Sequence, residues 1–436
     1  MTIAESVCAM PAAPRTAEDT GVGADMILQL IMRTMYFAGE LTGSEVAARL
    51  GVPFAVVDPS LVLMRRDHLC EIAGGTLLGP LTYRYRLTDA GRTRAMLFLD
   101  QNQYVSCLPV PLDQYATYMR TALREAESVT RQSIRRAFSH LVLSDGVIDQ
   151  LGPAIAAHHS LFIYGPPGNG KTMISQSIRN VLPGGLAIPH ALSIDGQICR
   201  MFDPVIHQPL EAVDGADSDQ LAPETEVDRR WVPCRRPLVT VGGELTLDSL
   251  DLSYSSTARF YRAPVHVLAN GGVLVVDDFG RQRVSTREML NRWIVPLESR
   301  KDYLTLHTGQ KFELALDLLI VFATNMKPYD LVDEAFLRRI HYKVFAESPT
   351  AEEFTQIFEK CCRERQIAFD PRLVEELIAN EIRPRGIELR GCQPRDLVDH
   401  ALWLARYLDQ PRALTGDLIS AACASYFLED HEAAKA

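Results

Sequence analysis

Residues 161–176 read LFIYGPPGNGKTMISQ, and their centre, Gly165-Pro166-Pro167-Gly168-Asn169-Gly170-Lys171-Thr172, is a complete G-x-x-x-x-G-K-T. Glycines at these places let backbone N–H groups curl around phosphate oxygens with no Cβ in the way. A helix opening at the lysine directs its N-terminal dipole at the same charge. Lys171 then reaches the β- and γ-phosphates of a nucleoside triphosphate, and the Thr172 hydroxyl is placed for Mg2+. The chemistry implied is the binding of ATP with its magnesium ion.

A second group of residues completes that chemistry. Residues 271–281 read GGVLVVDDFGR, an apolar run ending in Asp277-Asp278. A carboxylate at the C-terminal end of a buried strand beside a phosphate loop suits Mg2+ and its waters, which assigns Asp277 to the metal. Asp278 is then placed to orient or deprotonate an attacking water.

These residues need a buried sheet to hold them. Leu161–Tyr164, Gly272–Val276 and Leu318–Ala323 are continuous apolar runs, expected of parallel strands covered on both faces. Residues 207–237 are rich in Asp, Glu, Pro and Arg without periodicity and are expected to form an exposed insertion or mobile loop. Pro237 to Leu247 alternates and turns like a β-hairpin. After Pro349 helical spacing returns, in segments near 351–365, 371–380, 394–408 and 415–428.

Upstream, Ile27, Leu30, Ile31 and Met35 repeat at helical spacing. Ser44 is expected to cap a second helix that Gly51 ends. A third apolar stretch runs through Val56, Leu61, Leu63 and Met64. Strand candidates follow at Leu69–Ala73 and Thr82–Leu87, and Thr88-Asp89-Ala90-Gly91-Arg92 opens another helix. Three helices and a two-stranded wing make a winged helix, and the Tyr85–Arg92 phrase resembles the wing-to-helix junction of such domains. The expected organisation is a disordered tail over residues 1–22, a winged helix over 23–108 and a helical connector over 109–150. A large α/β subdomain over 151–346, with an insertion at about 200–250, and a helical lid over 347–436 complete it.

Composition narrows the partners. Of the 436 residues, 47% are apolar and 23% charged, an ordinary globular balance, and the net charge is −10. Such a chain is not built to coat nucleic acid, although a local basic patch remains open. Residues 1–110 hold nine Arg, no Lys and eleven Asp plus Glu. Arg65, Arg66, Arg84, Arg86, Arg92 and Arg94 form either one basic strip for DNA or solvated element ends on a protein-docking module. The nine cysteines are scattered without a C-x-x-C pair, and are expected to be reduced thiols of a cytoplasmic protein. No apolar run approaches the roughly 20 residues that span a bilayer, so no membrane insertion is expected.

The loop and the carboxylate pair resemble those of AAA+ ATPases, a likeness covering about residues 130 to 430. That family typically has Asp-Glu where this chain has Asp277-Asp278, which leaves the second carboxylate one methylene shorter. Residues 319–325, LIVFATN, match the strand that ends in sensor 1, so Asn325 is implied to bond the attacking water or γ-phosphate. Residues 334–340, EAFLRRI, resemble the helix end that offers an arginine finger to a neighbouring subunit. Arg339 is the first candidate and Arg338 the second; otherwise the pair is a basic helix end complementing its dipole. Residues 391–397, GCQPRDL, resemble the sensor 2 turn, implying that Arg395 reaches the γ-phosphate.

The fold implied is α/β, an AAA+ P-loop NTPase core with a parallel sheet between helices, a C-terminal helical lid and an N-terminal winged helix. The gap of about a hundred residues between the loop and Asp277, with its hairpin, resembles the branch of MoxR-like ATPases, magnesium chelatase and enhancer-binding activators. The whole chain is similar to bacterial chaperone-like ATPases associated with Flp pilus assembly. The resemblance implies a homo-oligomer, a hexameric ring, that hydrolyses ATP to remodel or assemble a protein substrate. Two other readings stand beside it: an ATP-switched DNA-binding regulator of replication or transcription, and a nucleotide-binding scaffold with little turnover.

Overall fold

The helical spacing near the N-terminus becomes α1 (Ala24–Ala38), with Ile27, Leu30, Ile31 and Met35 buried along one side. The computed structural model describes residues 10–74, 79–124, 129–210 and 227–427. A short strand, β1 (Glu40–Thr42), leads into α2 (Gly43–Leu50). Thr42, not Ser44, caps α2. Thr42 keeps the extended backbone of β1, so its hydroxyl accepts the Glu45 N–H at 3.2 Å while the Glu45 carboxylate accepts the Thr42 N–H at 2.7 Å. Gly51 ends the helix, and α3 (Phe54–Arg66) follows.

Strands β2 (Cys70–Gly74) and β3 (Arg84–Leu87) join β1 in an antiparallel sheet of order β1-β3-β2. Helix α4 (Asp89–Gln101) starts at Thr88, whose hydroxyl accepts the Gly91 N–H at 3.1 Å and donates to the His68 carbonyl at 2.8 Å. Gly91 is required there, because a Cβ would lie 1.9 Å from the Leu69 carbonyl oxygen. Members of the expected basic strip are engaged within this region. Arg86 is held by Glu71 at 2.6 Å and Glu40 at 3.4 Å, and Arg94 lies over the Phe98 ring.

The central sheet carries the order Leu238–Val241, Val273–Val276, Leu319–Thr324, Leu161–Tyr164, Tyr342–Phe345, and the last three run parallel. The expected hairpin at 237–247 is therefore not formed. Its first arm is the edge strand of this sheet, and its second arm coils into the 3-10 turn Leu247–Leu250. A short hairpin does occur slightly later, pairing Ser253–Tyr254 with Tyr261–Arg262.

The chain divides into two compact units. The first takes in Met1–Ser128, Leu182–Leu274 and Glu288–Leu319. In it Val110–Pro111 runs parallel to Ala191–Ile194, whose sheet continues through Gln197–Arg200 and Tyr261–Arg262. Gly185–Pro189 pairs with Trp231–Arg235, and Lys301–Thr305 with Lys311–Ala315. The expected loop over 207–237 thus contains a strand, while its residues 211–226 lie outside the described residues.

Residues 10–22 are likewise not the disordered tail that composition suggests, and residues 1–9 lie outside the described set. Ala12 bridges Val227, and the Asp228 N–H donates to the Pro11 carbonyl at 2.9 Å. The reason is a buried arginine. Arg230 and Asp228, each 2% exposed, pair at 2.8 Å, and the remaining guanidinium hydrogens need acceptors. The Thr20 carbonyl supplies one at 3.0 Å. Asp228→Ala should cost about 3–5 kcal/mol, since it leaves a buried guanidinium without its counter-charge. Denaturant melts of Asp228→Ala and of the double variant with Arg230→Met check this; the double variant should recover much of the loss.

The second unit takes in Val129–Val181, Val275–Arg287 and Ile320–Ala436. Its C-terminal helices are Ala351–Glu364, Pro371–Glu376 continuing as a π turn over Leu377–Ile382, Gln393–Tyr407 and Gly416–Tyr426. Phe354, Phe358, Cys362, Val374, Leu397, Ala401 and Ile419 form their common core. No single helix among the described residues is long and apolar enough to cross a membrane.

Candidate functional site

All the sequence-predicted site residues fall in the second unit. Buried Leu161–Ile163 deliver the chain to the phosphate loop, and Gly170, at φ 73°, opens the helix Lys171–Ser177. Among the described residues the N–H groups of Gly168, Asn169 and Gly170 donate to no protein acceptor. That is the arrangement a set of phosphate oxygens would complete. Lys171 is buried, and its ammonium donates to the Gly165 and Pro166 carbonyls at 3.0 and 2.7 Å. Burial pushes its pKa down, Asp277 and Asp278 oppose that, and Arg390 adds to it.

The Thr172 hydroxyl donates to the Asp277 carboxylate at 2.7 Å. These are two hard oxygen donors side by side at a triphosphate-sized loop, and they fit Mg2+ brought in with a nucleotide. Asp278 is exposed and takes φ 47°, and the Asn325 side-chain amide donates to its Oδ1 at 3.3 Å. Thr172, Asp277, Asp278 and Asn325 thus form one connected group.

The arginines are distributed differently from expectation. Arg395 folds back on the next residue, with its Nε and Nη2 at 3.0 and 2.9 Å from the Asp396 carboxylate. The arginine of that turn that donates to the loop is Arg390, at 2.8 Å from the Pro167 carbonyl. The same turn is held by the Cys392 N–H on the Gly168 carbonyl at 2.8 Å. Gly168, at φ 83°, admits no side chain, since a Cβ would lie 2.6 Å from the Cys392 sulfur. Arg338 is exposed and bonds Glu334 at 2.9 Å, whereas Arg339 is half-buried just past the helix Glu334–Leu337.

Pro166 and Pro167 complete the loop, and Asn169 braces it, donating to the Ala346 carbonyl and the Ser348 hydroxyl at 3.3 Å each. Arg390, which no sequence motif marks, joins the site only through the turn at Arg390–Cys392. Nothing in residue type or spacing separates Arg390 from Arg395 before the turn is folded.

A buried parallel sheet, a phosphate loop opening a helix, and a carboxylate pair facing that loop define a P-loop nucleotide-binding module of the α/β class. Residues 146–191 match the family model of the magnesium chelatase subunit ChlI. Residues 350–425 match a domain of unknown function, DUF8689. Among solved structures, NtrX from Brucella abortus is 16% identical, with a TM-score of 0.41 over 78% of this chain and 64% of that one. The ADP complex of the same protein is 16% identical, with a TM-score of 0.40 over 79% of this chain and 68% of that one. RuvB of Thermotoga maritima, a Holliday junction branch migration motor, is 11% identical, with a TM-score of 0.37 over 69% and 71%. The chain spans less than two thirds of the first NtrX structure. No curated protein matches it.

Proposed function

We propose that the chain is an AAA+ ring ATPase that hydrolyses ATP to remodel or assemble a partner protein. The observation that carries the hydrolytic reading is the connected group Thr172–Asp277 and Asp278–Asn325 beside the phosphate loop. The loop amides and Lys171 bind the triphosphate. Thr172 and Asp277 would hold Mg2+, which when bound neutralises charge on the phosphates. Asp278 accepts the proton of the attacking water, and Asn325 orients both water and carboxylate. Arg339, with Arg338 as the second candidate, is offered to the site of a neighbouring subunit.

The hairpin at 253–262, set between the turn Leu247–Leu250 and the helix Val265–Leu268, supports a place near the MoxR-like and magnesium chelatase branch. The N-terminal helices and the β1-β3-β2 sheet are read as a winged helix. Neutralisation of Arg86 by Glu40 and Glu71 favours protein docking over DNA contact for it.

Phosphate release from ATP tests the reading. Asp278→Asn should lower kcat by about 10²–10³-fold and leave nucleotide affinity within about 2-fold, because only proton acceptance is removed. Equal turnover in both proteins would remove Asp278 from the chemistry, and no turnover in either would leave a nucleotide-binding scaffold.

A further inference from the structure

The turn after the carboxylate strand is held from both ends. Val273–Val276 are buried in the sheet, and Phe279 is buried again between Phe162 and Phe322, with ring centroids 5.8 and 5.0 Å away. The Phe279 N–H donates to the Ala323 carbonyl at 2.7 Å, and the Thr324 hydroxyl donates to the Phe279 carbonyl at 2.8 Å. Only Asp277 and Asp278 are left to join Val276 to Phe279. The chain closes this short span by putting Asp278 at φ 47°, a left-handed conformation that aspartate tolerates better than most side chains but that still needs support.

Gln282 braces that conformation, beside the Arg281 N–H, which donates to the Asp278 carbonyl at 3.0 Å. The Gln282 side-chain amide donates to the Asp277 carbonyl at 3.0 Å and the Asp278 carbonyl at 3.3 Å, and its Oε1 accepts the Gly280 N–H at 2.8 Å. Both ends of the amide are therefore used, and a flipped amide would set oxygen against two carbonyl oxygens. The Asp278 side chain, by contrast, is exposed and has one long bond, to Asn325 at 3.3 Å. Its position follows from the backbone more than from its own contacts. A glutamate could swing to reach a water; an aspartate, one methylene shorter, depends on where its Cα is put.

We propose that Gln282 is a positioning residue for Asp278, clamping the left-handed turn that sets where this short carboxylate meets the attacking water. The inference rests on the hydrolytic reading above. It assigns Gln282 no contact with nucleotide or metal.

The test is Gln282→Ala and Gln282→Glu in the full chain, each alone and with Asp278→Asn. Gln282→Ala should lower kcat by about 10-fold or more while the ATP Kd stays within about 2-fold. Gln282→Glu should do no better, since a carboxylate offers no donor to the two carbonyls. Without nucleotide, amide exchange at residues 278–281 should accelerate in both variants, with the melting of the rest of the chain unchanged. In the Asp278→Asn background Gln282→Ala should cause no further loss, because the two residues act as one unit. Losses that multiply, or full turnover in Gln282→Ala, overturn the proposal while leaving an active ATPase. A wild-type chain without turnover at any concentration refutes the hydrolytic reading first, and this one with it.

Discussion

Lys171→Ala should abolish useful nucleotide binding, raising the ATP Kd by about 100-fold, or ~3 kcal/mol. The size follows from burial. The ammonium sits behind the loop against the Gly165 and Pro166 carbonyls, so its charge is poorly screened where phosphate oxygens would lie. Binding of a fluorescent ATP analogue measures the loss, and the rise in melting temperature that ATP gives the wild type should vanish. The same burial predicts a pH effect. The pKa of Lys171 is pushed down by desolvation, so the site loses its positive charge at a lower pH than an exposed lysine would. ATP affinity should therefore fall on the alkaline side, beginning below the ordinary lysine range. An affinity that stays flat through that range would mean the lysine does not touch the phosphates.

Arg339→Ala should leave ATP bound and reduce kcat by about 10³–10⁵-fold, the range for a guanidinium acting on a transferring phosphoryl group. Because the proposed site is completed by a neighbour, wild-type turnover per subunit should rise with protein concentration. Mixing separates the roles. Lys171→Ala keeps the finger and loses the nucleotide, while Arg339→Ala does the reverse, so equal amounts of two inactive chains should regain turnover. If they co-assemble and stay inactive at every ratio, Arg339 does not act across an interface. Arg338→Ala should cost far less, since Arg338 is exposed and bonded to Glu334.

The parts of the site carried by short contiguous segments are legible in the sequence. Gly165–Thr172 and Asp277-Asp278 follow apolar runs that become buried strands, with boundaries shifted by a residue at most. The C-terminal helices are legible for the same reason, through their helical spacing after Pro349. What escapes is set by distant partners. The alternation at 237–247 marks a strand, but its partner is Val273–Val276 rather than its own second half. The N-terminal segment has a disordered composition, yet Arg230, more than two hundred positions away, needs its carbonyl. Arg390 and Arg395 differ only once the turn decides which one meets the loop.

The turn at Arg390–Cys392 acts as a latch between the C-terminal helices and the phosphate loop. Two loop carbonyls, of Pro167 and Gly168, are gripped by it, and Gly391 donates to Asn169 at 3.4 Å. A tilt of the C-terminal helices would therefore be transmitted to the peptide groups of the phosphate loop. Under the proposed ATPase reading, escape of spent ADP and entry of fresh ATP would be timed by the unfastening of this latch, so that the residence time of nucleotide would be set from the side of the C-terminal helices.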